Sequence, residues 1–227
     1  MKSFISKLFN RPISLPQKWH QVAIQDIDLL SIDLELTCLD PAISKVTSAG
    51  WVQGKNQQIN MSSSRYFVTR AGGDLQQSPV IHGLTEKDLA QGAHVKEVIN
   101  ELVPLVPDNV WVLHNANLDL GILSRVTKAL NLPKMTVITI DTMQIELYLQ
   151  RKADQAIKPD SVTLENCRRR HKLPPVPCHN ALDDAMATLQ LLFAQLYSLS
   201  KKQPLILNDL LHTNAVQQFE LGENATN

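Results

Sequence analysis

Asp33 and Glu35 stand two residues apart inside the otherwise apolar segment Leu29–Leu36. Side chains alternate along a strand, so this spacing puts both carboxylates on one face. Two like charges held together in a dry setting are costly unless a cation neutralises them, and hard divalent ions such as Mg²⁺ or Mn²⁺ prefer such an oxygen cage. The alternative is a strand whose polar face meets water, although Leu34, Leu36 and the apolar residues 29–32 favour burial.

Two further groups carry the same kinds of side chain. In Leu113-His114-Asn115-Ala116-Asn117-Leu118-Asp119 an apolar strand turns into a helix with an acid in its first turn. By itself Asp119 could serve only the helix dipole, and His114 and Asn115 could merely close the turn. In Cys178-His179-Asn180-Ala181-Leu182-Asp183-Asp184-Ala185 the histidine falls at a helix cap, and Asp184, five residues on, falls in the first turns. Histidine titrates near neutrality and can act as a base, although a lone histidine there is more often a capping or surface residue.

Together the three groups form an ordered series: Asp-x-Glu, then His-Asn-x₃-Asp, then His-x-Ala-Leu-x-Asp-Ala. The chain thereby resembles the DEDD exonuclease superfamily in its histidine-bearing branch, and within it the proofreading, or epsilon, subunits of bacterial DNA polymerase III and their stand-alone relatives. The likeness spans about residues 28–197 and includes Ile81-His82-Gly83-Leu84-Thr85 and Asp141-Thr142. The resemblance implies a ribonuclease H-like fold and two divalent ions, Mg²⁺ or Mn²⁺. It implies that Asp33, Glu35 and Asp184 hold one ion, that Asp33 bridges to the second, and that Asp119 completes the site. It further implies His179 as general base, and Leu36, Thr37, His114 and Asn115 as residues that contact the substrate. The reaction would be in-line hydrolysis of a phosphodiester at a 3′ end, releasing nucleoside 5′-monophosphates.

The family's first motif continues Thr-Thr-Gly after the glutamate, whereas this chain has Leu36-Thr37-Cys38. Thr37, Leu39, Asp40 and Pro41 after the acids resemble the oligoribonuclease version, while His114-Asn115 and Leu118-Asp119 resemble the polymerase-associated one. Single-stranded DNA is the preferred expected substrate, short RNA the alternative, and a catalytically inactive scaffold of the same fold the rival from another class.

The elements that must position these residues follow from hydrophobic pattern. Strands are expected at 29–36, 46–52 and 66–69, then a helix over 89–106, a strand at 110–113, a helix over 118–130 and a strand at 137–140. Helices at 142–151 and 162–171 precede the prolines at 174, 175 and 177, and a long helix covers about 181–199. A three-stranded meander followed by βαβ-type units argues for an α/β domain, a mixed five-stranded sheet flanked by helices, over 28–200. Residues 1–27 read as an arm, with Phe4, Ile5, Leu8 and Phe9 at helical spacing; packing on its own domain is expected, partner docking the alternative. Residues 201–227 read as a polar, irregular tail. These two extensions are where a polymerase or other protein partner would attach.

Bulk composition only bounds these readings. With 22 basic and 22 acidic residues the formal net charge is zero, so overall electrostatics do not point to a nucleic acid. Arg168, Arg169, Arg170, His171 and Lys172 form the dense basic cluster, which could steer a phosphate backbone or simply be a solvated helix face. Three cysteines without CxxC spacing disfavour a disulfide framework and a zinc knuckle, and reduced thiols fit the cytoplasm. Lys7 and Arg11 interrupt the N-terminal apolar residues, so neither a signal peptide nor a membrane partner is expected.

Overall fold

A computed structural model of the chain describes residues 13–71, 83–154, 157–177, 179–200 and 203–224. Its centre is β1 (Leu29–Leu36), seven of whose eight residues are buried. β1 pairs antiparallel with β2 (Val46–Lys55), which pairs antiparallel with β3 (Gln58–Val68). Asn56 and Gln57 close the β2–β3 hairpin with φ of 52° and 60°, the positive values that tight two-residue turns require. On its other side β1 runs parallel to β4 (Val110–Leu113), and β4 parallel to β5 (Met135–Asp141).

The helices cover both faces. On one, Leu30, Ile32, Leu34 and Leu36 of β1 pack with Val98, Ile99 and Leu102 of α2 (Val95–Leu102) and with α3 (Ala116–Ala129). On the other, Leu29, Val110 and Val112 pack with Ile145 of α4 (Thr142–Lys152) and with Leu189 and Leu192 of α6 (Ala181–Leu199). Each fully buried side chain of this size contributes roughly 1.5–3 kcal/mol, and the alternation along β1 fixes its register. Asp33 and Glu35 therefore share the face covered by α6. Between α4 and α6 lies the short α5 (Leu164–Arg170).

Two expectations are revised. The helix expected over 89–106 is two helices, α1 (Glu86–Gln91) and α2, split at Gly92-Ala93-His94. Ala93 donates its N–H to the Val68 carbonyl and accepts from Arg70, while a Cβ on Gly92 would lie 2.6 Å from the Thr69 carbonyl carbon. The chain must leave the helix there to lie against the end of β3. Second, the tail supplies a short α7 (Leu207–Leu210) and a sixth strand, β6 (Val216–Leu221), antiparallel to β5. The sheet is thus six-stranded, in the order β3-β2-β1-β4-β5-β6. An edge strand with Gln217, Gln218 and Glu220 between its buried ends does not read as apolar. The described part of the arm packs on its own domain: Leu15, Trp19, Ile24 and Ile27 are buried with α6 and α7, and Ile24 N–H donates to the Leu205 carbonyl. The stripe of Phe4, Ile5, Leu8 and Phe9 lies outside the described residues, as do Ile81, His82 and Cys178. Among the described residues no helix is long and apolar enough to cross a membrane.

Candidate active site

The start of α6 rests on β2 where it passes β1. Gly50 is the register partner of Asp33, and a Cβ added to Gly50 would fall 2.3 Å from the Leu182 backbone nitrogen. The glycine lets the first turn of α6 lie on the sheet, and that turn carries Asp184. Asn180 caps the helix, its side-chain oxygen accepting from Leu182 N–H (3.0 Å) and Asp183 N–H (3.2 Å). Asp33, Glu35 and Asp184 each bring a carboxylate oxygen within 4.8 Å of the others.

Burial and crowding raise the pKa values of Asp33, Asp119 and Asp184. Burial first, then the charges of Asp119, Glu35 and Asp184, push Asp33 well above the usual carboxylate range. Asp184 is pushed up to about 6, chiefly by burial and partly by Glu35, while the His179 N–H it accepts pulls the other way. Asp119, 5% exposed in the first turn of α3, is pushed up to about 8 by burial despite accepting backbone N–H bonds from itself and Leu34. A hard divalent cation relieves this strain, and a set made only of carboxylate oxygens fits Mg²⁺ or Mn²⁺. Asp33 feels the charge of all three other acids.

The turn that presents Asp119 is organised by a residue not singled out for the site. Asp141, 2% exposed at the end of β5, accepts from the N–H groups of Asn115 (3.1 Å), Ala116 (3.1 Å) and Met143 (2.9 Å). It caps α4 and satisfies the start of α3, where Asn115 takes a left-handed φ of 67°. Burial raises the Asp141 pKa and these donors oppose the rise. An acid ending an apolar strand before a helix was the available sequence signal.

The four residues expected to contact substrate have varied surroundings. The Leu36 side chain is buried on the face opposite Asp33 and Glu35. The Thr37 hydroxyl accepts from Lys45 N–H at 3.0 Å and Thr37 N–H donates to the Lys45 carbonyl, closing the loop after β1. Both ring nitrogens of His114 are engaged, at 2.9 Å with the Thr142 hydroxyl and 2.8 Å with the Val162 carbonyl, and burial lowers its pKa to about 4. Leu36 is buried, whereas Thr37, His114 and Asn115 are each partly exposed.

His179 is exposed, with a φ of 68°, and its N–H donates to Asp184 Oδ2 at 3.0 Å. The structure thus brings His179, Asp33, Glu35, Asp119 and Asp184 to one end of the sheet. The basic cluster is divided, with Arg168 buried and His171 half-buried, while Arg169, Arg170 and Lys172 are exposed. Arg168 is buried; Arg170 Nε and His171 Nε2 lie 2.6 and 3.0 Å from the two oxygens of Glu146, whose side chain is 3% exposed. Burial alone would raise the Glu146 pKa, but the bonds from His171, Arg170 and Gln195 hold it down at about 2.

Comparison with known proteins identifies the family. The family model described as Exonuclease matches residues 30–192. The chain is 27% identical over 177 residues to a PolC-type DNA polymerase III of Thermotoga maritima, spanning 78% of this chain and 12% of that protein. It is 28% identical over 142 residues to the 3′-5′ exonuclease DinG of Staphylococcus epidermidis, spanning 57% of this chain and 15% of that protein. Among solved structures, Escherichia coli exonuclease I in complex with a dT13 oligonucleotide superposes with a TM-score of 0.64 at 14% identity, over 83% of this chain and 44% of that one. The cell-death related nuclease CRN-4 gives 0.60 at 12% identity, over 78% and 65%. The chain belongs to the exonuclease family, in its histidine-type DEDD group.

Proposed function

We propose that this chain is a metal-dependent 3′→5′ exonuclease acting on single-stranded ends, DNA in preference to RNA, and releasing nucleoside 5′-monophosphates. The observation that carries the reading is the convergence of Asp33, Glu35 and Asp184 within 4.8 Å, with Asp119 close enough to raise the Asp33 pKa. Such an arrangement is unfavourable unless a cation completes it. An inactive scaffold has no need to keep it.

Asp33, Glu35 and Asp184 would hold one divalent ion, with Asp33 shared to a second and Asp119 completing the set. When bound, the ions supply positive charge opposite the attacking and leaving oxygens of an in-line displacement. His179 takes a proton from the attacking water as its oxygen bonds to phosphorus; the P–O3′ bond breaks, the 3′ oxygen leaves to be protonated, and the freed nucleotide keeps the 5′-phosphate. The exposed position of His179 beside Asp184 suits a base that must reach water at the cleft.

The preference for DNA is supported by the likeness to PolC-type DNA polymerases and to exonuclease I with an oligodeoxythymidine. The same relatives support a polymerase as a possible partner. Chromatography of the products from single-stranded DNA and RNA oligomers tests the reading: 5′-monophosphates, formed faster from DNA and abolished by EDTA, are expected. Nucleoside 3′-monophosphates, or internal cleavage alone, would overturn it.

A further inference from the structure

We propose that Arg168 is a positioning residue for His179, and that it acts by clamping a proline strap to the helix that carries Asp184. This deepens the functional reading above and rests on it for the role of His179. The Arg168 side chain is 2% exposed. Its Nη1 donates to the Ala187 carbonyl at 2.8 Å and its Nη2 to the Pro174 carbonyl at 2.9 Å. The first acceptor lies on α6 three residues after Asp184, and the second opens the segment Leu173-Pro174-Pro175-Val176-Pro177 that leads to His179. Leu173 N–H also donates to the Arg168 carbonyl at 3.0 Å.

The strap's other end returns to the same helix. His179 N–H bonds to the Asp184 carboxylate, and Asn180 caps α6. Three prolines in five residues fix φ at positions 174, 175 and 177. Pro175 and Val176 face Arg168, Leu164 and Asp184 across a small pocket, so the strap runs alongside the metal-ligating acid. The Arg170 and His171 contacts with Glu146 hold the end of α5 from which the strap departs. A guanidinium reaches two carbonyls in a fixed fork, which an ammonium on a flexible stem does not reproduce. Arg168 thereby ties the strap to the helix whose Asp184 accepts the His179 N–H.

Displacement of a catalytic group by about 1 Å costs on the order of 100-fold in rate. Arg168→Lys, and separately Pro174→Gly with Pro175→Gly, are expected to lower kcat roughly 10- to 100-fold with KM and Mn²⁺ affinity within about threefold. The second readout is the His179 imidazole signal by NMR, assigned with His179→Gln, which should shift or broaden in both variants. Both prolines are exposed, so that variant keeps its fold and decides the matter if Arg168→Lys does not fold. An unchanged His179 signal and a kcat within about twofold of wild type in the folded proline variant would overturn the proposal. Absence of hydrolysis in the wild type would instead sink the exonuclease reading, and the NMR comparison would still decide the clamp.

Discussion

Gly50 and Asp33 are register partners on adjacent strands, and the missing Cβ of the first is what allows α6 to bring Asp184 beside the second. In an ordinary strand an alanine would gain roughly 0.5–1 kcal/mol over glycine. Here its Cβ would sit 2.3 Å from the Leu182 backbone nitrogen, which is not a flexible side-chain end. Overpacking of this kind costs about 1–3 kcal/mol, so it outweighs the gain. Gly50→Ala is expected to lower Tm by about 2–8 °C in calorimetry and to weaken Mn²⁺ binding about tenfold or more. A variant as stable and as tight as wild type would show that α6 does not depend on this contact.

The crowded acids make the metal-free protein sensitive to alkali. Asp119 titrates at about 8 when folded, against about 3.9 for a free aspartate. The folded state therefore holds a proton that the unfolded state releases, and stability falls as pH rises between those values. Asp119→Asn removes this burden. In EDTA its Tm is expected to equal that of wild type near pH 4 and to exceed it by about 2–4 °C or more at pH 8. A Tm below wild type at pH 8 would contradict the assigned repulsion.

Metal binding carries the reverse dependence. Asp33 and Asp184 must be ionised to act as ligands, and Asp184 loses its proton at about 6. Mn²⁺ affinity measured by calorimetry is expected to rise about tenfold or more from pH 5 to pH 7, with protons released on binding, and to be lost in Asp184→Asn. Affinity independent of pH would place the ion elsewhere.

Which residues were legible follows from how local their signals are. Asp33 and Glu35 announce themselves because two acids interrupt an apolar strand, and Asp119, His179 and Asp184 because they fall at helix starts in a recognisable order. Gly50 and Arg168 act through contacts with distant backbone, to Leu182 and to Ala187, which spacing does not reveal. The ring of His114 likewise meets Thr142 and Val162 from later elements, contacts that spacing does not reveal. β6 carries no local signal because an edge strand with outward glutamines lacks an apolar run, and the strongly amphipathic residues 95–102 mask the break at Gly92.

Glu146 is expected to contribute to stability rather than to chemistry. Its charge is held by Arg170 and His171, and its folded pKa, about 2, lies below the unfolded value of about 4.3. Its stabilisation is therefore present above about pH 4.3 and lost as pH falls through 2. Arg170 is one-third exposed, so screening reduces the effect to about 1–3 kcal/mol. Glu146→Gln should unfold about 2–8 °C lower at pH 7, with the gap to wild type closing from pH 5 to pH 2. A gap that widens with acid would contradict this assignment.

The most direct test of the central claim follows 5′-end-labelled single-stranded DNA, and a matched RNA, with purified protein in Mg²⁺, in Mn²⁺ and in EDTA, beside Asp33→Ala. The account predicts stepwise shortening from the 3′ end with either metal, faster on DNA. It predicts no shortening in EDTA and a loss of about 1,000-fold or more in the variant. Intact substrate in both metals, or shortening that survives Asp33→Ala, would contradict it.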